Sequence, residues 1–251
     1  MSKKQRILII GATSTIAEHC ARQWLAKDVT EIILVARNLE KLHRMAQDLK
    51  VRYPHVEIQL QQVDFLSVAS VQVCIEQIYV QAAIDIALIA QGTLPDQQAC
   101  ENNLELLKQA IDINALSPVL FSEMILSKMI ALNFGRLAVI GSVAGDRGRK
   151  SNYIYGASKA LIEKYVQGVQ HRLALIGSDV SITLIKPGPT ATAMTENMAT
   201  TKSLASPEQV AKAILQAVEQ RKHVLYTPAK WAVIMLIIKN LPFFLFKKMD
   251  I

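Results

Sequence analysis

The sequence has 251 residues, 51% of them hydrophobic and 20% charged, which excludes an intrinsically disordered chain and suffices for one large α/β core. Its net charge of +7 admits an anionic partner, but the lack of any compact lysine/arginine run and an aromatic content of 6% set nucleic acid aside. Three scattered cysteines, Cys20, Cys74 and Cys100, have no CxxC spacing and no histidine at ligand spacing; they exclude a metal site or a disulfide framework and read as small buried residues in a reducing compartment.

The N-terminal stretch MSKKQRILIIGATS carries too short an apolar run for a secretory signal, so a cytoplasmic start is expected. Strand and helix patterns then alternate. RILIIGA (6–12) is an apolar run stopped by glycine, read as a buried strand, and STIAEHCARQWLAK (14–27) has helical spacing with Ile16, Cys20 and Trp24 on one face. A second strand is predicted over 31–37 and a helix over 39–53, a third strand over 56–64 and a helix over 68–81, and a fourth strand over 84–92. A long helical stretch covers 101–132, with a break expected near Pro118. Strands are predicted over 135–142, 178–188 and 223–228, with a helix around Tyr155 and another over 206–220. The latter opens on Ser206, Pro207 and Gln209, the pattern of a capping box with proline in the first turn. Six or seven strand–helix units without repeat or linker predict one domain, residues 1–228: a three-layer, doubly wound parallel sheet of six to seven strands.

In such a sheet ligands bind beyond the carboxyl ends of the strands, and the chemically suggestive residues fall there. GATSTIA (11–17) joins the first strand to its helix, where backbone N–H groups of Gly11, Thr13, Ser14, Thr15 and Ile16 and a helix N-terminus suit a pyrophosphate. The bland alternative is an ordinary turn, because Thr15 and Ala17 stand where further glycines are expected. The second strand ends on Ala36 and Arg37 instead of a carboxylate, which favours a 2′-phosphate and hence NADP(H) over a solvated surface arginine. Asp64, Gly92 and Ser142 close the third, fourth and fifth strands, and each also suits a plain turn. Tyr155 and Lys159 are four residues apart, on one helix face at about 5–6 Å between Cβ atoms. They read either as a surface pair or as a phenol whose pKa a nearby cation lowers.

The ordered set Gly11 in GATSTIA, Asp64 in VDF, Asn114 in IDINALSP, Ser142 in IGSVAG, YGASK (155–159) and KPGPTAT (186–192) resembles the short-chain dehydrogenase/reductase family over roughly 5–228. The resemblance implies a Rossmann fold and hydride transfer between a nicotinamide cofactor and a ketone or secondary alcohol. It implies that Tyr155 is the general acid/base, that Lys159 lowers its pKa and binds the nicotinamide ribose, that Ser142 holds the substrate oxygen and that Asn114 holds a relay water. Asp64 and Gly92 then belong to the cofactor site, Pro187 and Gly188 shape the turn beside the nicotinamide, and Thr190 and Thr192 reach its amide or the pyrophosphate. The resemblance also implies a homo-oligomer, dimer or tetramer. IAQG (89–92) departs from the family's NNAG. With AQGTLPDQ (90–97) and the tail, it is similar to a branch that includes ketoreductases of polyprenyl-phosphate sugar epimerisation, of the decaprenylphosphoryl-erythro-pentosid-2-ulose 2-reductase type.

The tail, residues 229–251, has two apolar blocks, 231–238 and 241–246, interrupted by Lys239 and followed by Lys247 and Lys248. It is too short and broken for a spanning helix, which takes about 20 apolar residues. It reads as a segment lying on a membrane surface, or as a helix packed over the substrate pocket or against a partner subunit. The expected protein is an NADPH-preferring ketoreductase acting on a small or lipid-linked substrate, cytoplasmic or peripheral on the inner face of a membrane. The segment 189–205 is its expected lid. The rival is a non-catalytic nucleotide-binding or scaffold protein on the same fold.

Overall fold

Ile7, Leu8, Ile9 and Ile10 are all fully buried, which a strand achieves only when both faces of its sheet are covered, because successive side chains point to opposite sides. Ile7 and Ile9 enter one core and Leu8 and Ile10 the other. The computed structural model describes residues 5–27, 29–196 and 204–249. Its strands are β1 (Gln5–Ile10), β2 (Val29–Ala36), β3 (Glu57–Gln62), β4 (Ile86–Ile89), β5 (Arg136–Ile140), β6 (Ser181–Pro187) and β7 (Val224–Thr227). They form one parallel sheet in the order β3-β2-β1-β4-β5-β6-β7.

Helices α1 (Thr15–Leu25), α2 (Leu39–Arg52) and α8 (Pro207–Glu219) contribute Trp24, Leu42 and Ile214 to the core on one face. Helices α3 (Val68–Gln81), α6 (Ser117–Leu132) and α7 (Tyr153–Leu175) contribute Ile75, Phe121 and Ile162 on the other. Between them run α4 (Gln97–Asn102) and α5 (Leu104–Ile111). After β7 the tail forms α9 (Lys230–Asn240) and the short α10 (Phe243–Phe246). The three cysteines are free and buried, and burial pushes the Cys74 thiol up to about 11.

Two local expectations are corrected. The helical run does not break at Pro118. It is interrupted at Asn103 and then widens into a π turn over Asp112–Leu116, with the Ser117 N–H reaching the Asp112 carbonyl. Proline has no N–H for the carbonyl four residues earlier, and the wider turn ahead of it accommodates the lost bond without ending the helix. At α8, Ser206 is the N-cap and Pro207 follows, but no side-chain cap bond forms, so the expected box is absent.

The chain reverses its winding direction between β1 and β4, and register brings the strand ends level. Ile10 pairs with Val35 and Ile89, and Ile89 with Val139. Gly11, Ala36, Ala90 and Ile140 therefore open onto the same edge, at the crevice where such sheets bind ligands.

Candidate active site

The first glycine after β1 is required twice over. Gly11 has φ +76, and a Cβ there would lie 2.5 Å from the Gln91 nitrogen. Its N–H bonds the Val35 carbonyl at 2.9 Å, fastening the turn to β2. Ala17, at a position where a further glycine was expected, is fully buried with its methyl group in the core, so the turn closes with one glycine.

Beyond this turn lies a cavity of about 620 Å³. Gly11, Thr13, Ser14, Arg37 and Gly92 line it as expected, joined by Asn38, Lys41, Gln62, Phe65 and Gln91. None of the lining residues is acidic. Thr15, Ile16 and Asp64 are not among them: Thr15 and Ile16 belong to the first turn of α1, and the exposed Asp64 accepts the Leu66 N–H at 3.0 Å. Lys41 was not singled out from the sequence. The signal was its place in the first turn of α2, where the Asn38 side chain accepts the Lys41 N–H at 2.8 Å and the helix N-terminus adds a partial positive charge.

Ser142, Tyr155, Lys159 and Asn114 gather at the ends of β4 and β5. Lys159 is 3% exposed, donates to the Ile140 carbonyl at 3.0 Å, and stands 5.7 Å from the centre of the Tyr155 ring. Ser142 accepts the Ala144 N–H at 3.1 Å through Oγ and is hydrogen-bonded to Tyr155. Gly92 keeps the floor low, since a Cβ there would lie 3.0 Å from Asn114 Oδ1 and 3.6 Å from Lys159 Nζ. Asn114 is fully buried, accepts the Thr93 N–H at 2.9 Å and donates to the Ala110 carbonyl at 2.9 Å. Those bonds use its side chain to pin the β4 loop.

The electrostatics correct one expectation. The phenol of Tyr155 is raised, not lowered: burial dominates, and the hydrogen bond from Ser142 offsets it only in part. Burial also pushes Lys159 down to about 8. An apolar site disfavours both charged forms. At neutral pH the result is a protonated phenol beside an ammonium still largely charged, the pair needed to donate a proton.

A buried ammonium of this kind costs stability. Between about pH 8 and 10.4 the unfolded lysine binds a proton that the folded one lacks, so its cost falls as pH rises. Lys159→Met is therefore expected to stabilise the fold at pH 7 by up to about 3 kcal/mol, with the advantage shrinking by pH 10. Urea unfolding at both pH values tests this; a Met variant less stable at pH 7 would contradict it.

Pro187 and Gly188 end β6. The Gly188 N–H bonds the Thr227 carbonyl at 3.0 Å, and any Cβ at 188 would overlap the indole of Trp231 from α9. Thr190 donates to the Gly188 carbonyl at 2.9 Å, and Thr192 caps the turn Ala193–Thr195. Neither lines the cavity at Gly11. The Ala191 N–H to Ala205 carbonyl bond, 2.9 Å, closes the base of the expected lid, of which 197–203 lie outside the described residues.

Behind the site, Lys186 is buried in ion pairs with Asp146 and with Glu163, the latter at 2.7 Å, and Tyr226 donates to Asp146 at 3.1 Å. This cluster ties β6, β7 and α7 to the loop after Ser142.

A short chain dehydrogenase family model matches residues 5–203. An uncharacterized oxidoreductase of Mycobacterium tuberculosis is 28% identical over 244 residues, covering 97% of this chain and 96% of its own. Among solved structures, a short-chain dehydrogenase from Burkholderia cenocepacia in complex with NADP superposes with a TM-score of 0.80 at 18% identity, over 95% of this chain and 94% of its own. One from Sphingobium yanoikuyae in complex with NADPH gives 0.79 at 20% identity, over 95% and 97%.

Proposed function

Since the chain belongs to the short-chain dehydrogenase family, we propose that it is an NADP(H)-dependent oxidoreductase that reduces a ketone to a secondary alcohol, on a hydrophobic or lipid-linked substrate. One observation carries this reading: Ser142, Tyr155 and Lys159 converge beside a cavity whose lining has Arg37 and Lys41 and no carboxylate.

The residues present fit a dinucleotide. The cradle at Gly11 has no room for a Cβ, the first turn of α1 presents its N-terminus, and the two cations that line the cavity, Arg37 and Lys41, suit a 2′-phosphate. When bound, the reduced nicotinamide supplies the hydride. Ser142 orients the substrate carbonyl oxygen by hydrogen bonding. Tyr155 Oη delivers its proton to that oxygen as negative charge develops, and burial keeps the proton on the phenol until then. Lys159, charged below about pH 8, stabilises the phenolate left behind. The raised phenol suits reduction better than alcohol oxidation, which needs a base. The lipid-linked part of the reading rests on the exposed apolar tail helices beside Gly188.

Titration with NADPH and NADH by fluorescence, followed by turnover on a ketone panel, tests the reading; tight NADPH binding without any turnover would favour a non-catalytic nucleotide-binding protein. Arg37→Ala is expected to weaken NADPH by about 10- to 100-fold, since a charge-assisted bond contributes ~1.5–3 kcal/mol, and to leave NADH nearly unchanged. Equal loss for both cofactors contradicts the 2′-phosphate assignment.

A further inference from the structure

The tail helices have two unlike faces. On α9, Met235 is 1% exposed, Ile234 and Ile238 are partly covered, and Trp231 packs on Gly188. One turn around, Val233, Leu236 and Ile237 are 59–65% exposed, at the i, i+3, i+4 spacing of a single stripe. Phe243 and Phe244 of α10 continue it at 72% and 62%. An exposed apolar surface of this extent marks an interaction site.

The surface is held in place. Arg147, on the loop between Ser142 and Tyr155, donates to the carbonyls of Ile238 at 2.7 Å and Leu241 at 2.5 Å, and lies 3.9 Å over the ring of Phe246. A guanidinium thus closes the carboxyl end of α9, where orphan carbonyls and the helix dipole both favour a cation. The apolar stripe is fixed to the segment that joins Ser142 to Tyr155.

Its frame identifies the occupant. Residues 229–251 include Lys230, Lys239, Lys247 and Lys248, all four exposed, against one acidic side chain, Asp250. A second copy of the chain in two-fold apposition would set four lysines against four with one acidic side chain from each tail, so like-charge repulsion outweighs attraction and disfavours self-association. Anionic lipid headgroups complement the lysines, and the acyl boundary takes the phenylalanines. Spanning is ruled out by dimensions: α9 has 11 residues, about 16 Å long, against a hydrocarbon core of about 30 Å.

We propose that the outer face of α9 and α10 docks the protein flat on an anionic bilayer; the corollary that the site then receives its ketone from the membrane surface rests on the reductase reading above. The test is co-sedimentation of the full-length chain with vesicles of equimolar phosphatidylcholine and phosphatidylglycerol, against pure phosphatidylcholine, at low and high salt. The chain is expected to pellet with the anionic vesicles at low salt and to be released by high salt. Phe243→Ser/Phe244→Ser, checked for an unchanged thermal transition, should reduce pelleting at least tenfold, and Lys247→Glu/Lys248→Glu should do the same.

Absence of pelleting at low salt overturns the proposal. So does a serine variant that pellets like the wild type, or a dimer in sedimentation velocity that the serine variant splits while vesicles bind neither form. Turnover of a small water-soluble ketone, followed by NADPH oxidation, is measured on the same samples. Vesicle binding lost with turnover intact removes the docking surface alone, and vesicle binding intact with turnover absent removes the reductase reading alone.

Discussion

Tyr155→Phe is expected to lower turnover by about 10²- to 10⁴-fold, the usual contribution of a positioned general acid, while NADPH affinity stays within about twofold. On the proposed reading the substitution removes the hydroxyl that hands a proton to the substrate oxygen, and it keeps the ring that packs beside Lys159. Because burial raises the phenol, the acid form persists through neutral pH, and reductase activity should decline only on the alkaline side. Tyr153→Phe is the internal control. That ring is 44% exposed and its hydroxyl bonds Glu101, at 3.2 Å, and Gln97, away from Ser142 and Lys159, so its loss should change turnover little. An active Tyr155→Phe beside a dead Tyr153→Phe would overturn the site assignment. Steady-state kinetics with a fluorescence titration of NADPH distinguishes the cases.

The largest expected effect on stability is at Lys186. Its side chain is 2% exposed, and those of its partners Asp146 and Glu163 are 0% and 9% exposed. Burial alone would depress the lysine, but the hydrogen bonds and charges of Asp146 and Glu163 outweigh it and hold the pKa above the ordinary value. A folded-state pKa raised in this way gives stability that is complete below the unfolded value of about 10.4 and is lost as pH rises through the folded one. Lys186→Met leaves two buried carboxylates without the ammonium that bridges them. Breaking such a cluster costs about 3–5 kcal/mol, on the order of 10 °C in Tm for a chain of this size. Adding Glu163→Gln should restore part of the loss at pH 7. Thermal unfolding of both variants at pH 7 gives the answer, and an unchanged Tm for Lys186→Met would falsify the assignment.

Much of the architecture is legible before any coordinates exist because burial on both faces of a parallel sheet is a local signal. Ile7–Ile10, Ile32–Val35 and Ile86–Ile89 are unbroken apolar runs, and all three are core strands. Gly11, Arg37 and the Tyr155–Lys159 pair are legible for the same reason, each being a residue type tied to a strand end or to a helical repeat. The long-range contacts were not legible. Trp231 lies 43 positions from Gly188, Arg147 is 91 from Ile238, and Lys186 is 40 from Asp146 and 23 from Glu163. No periodicity connects such positions. The two faces of the tail were equally hidden, since an apolar stretch such as WAVIMLII is hydrophobic all round and only docking on the domain selects Met235 as inside and Leu236 as outside. The acid itself divides along the same line. Spacing four residues apart guarantees that Tyr155 and Lys159 are neighbours, but the direction in which each titrates follows from desolvation, which depends on every element packed around the pair and belongs to the folded chain alone.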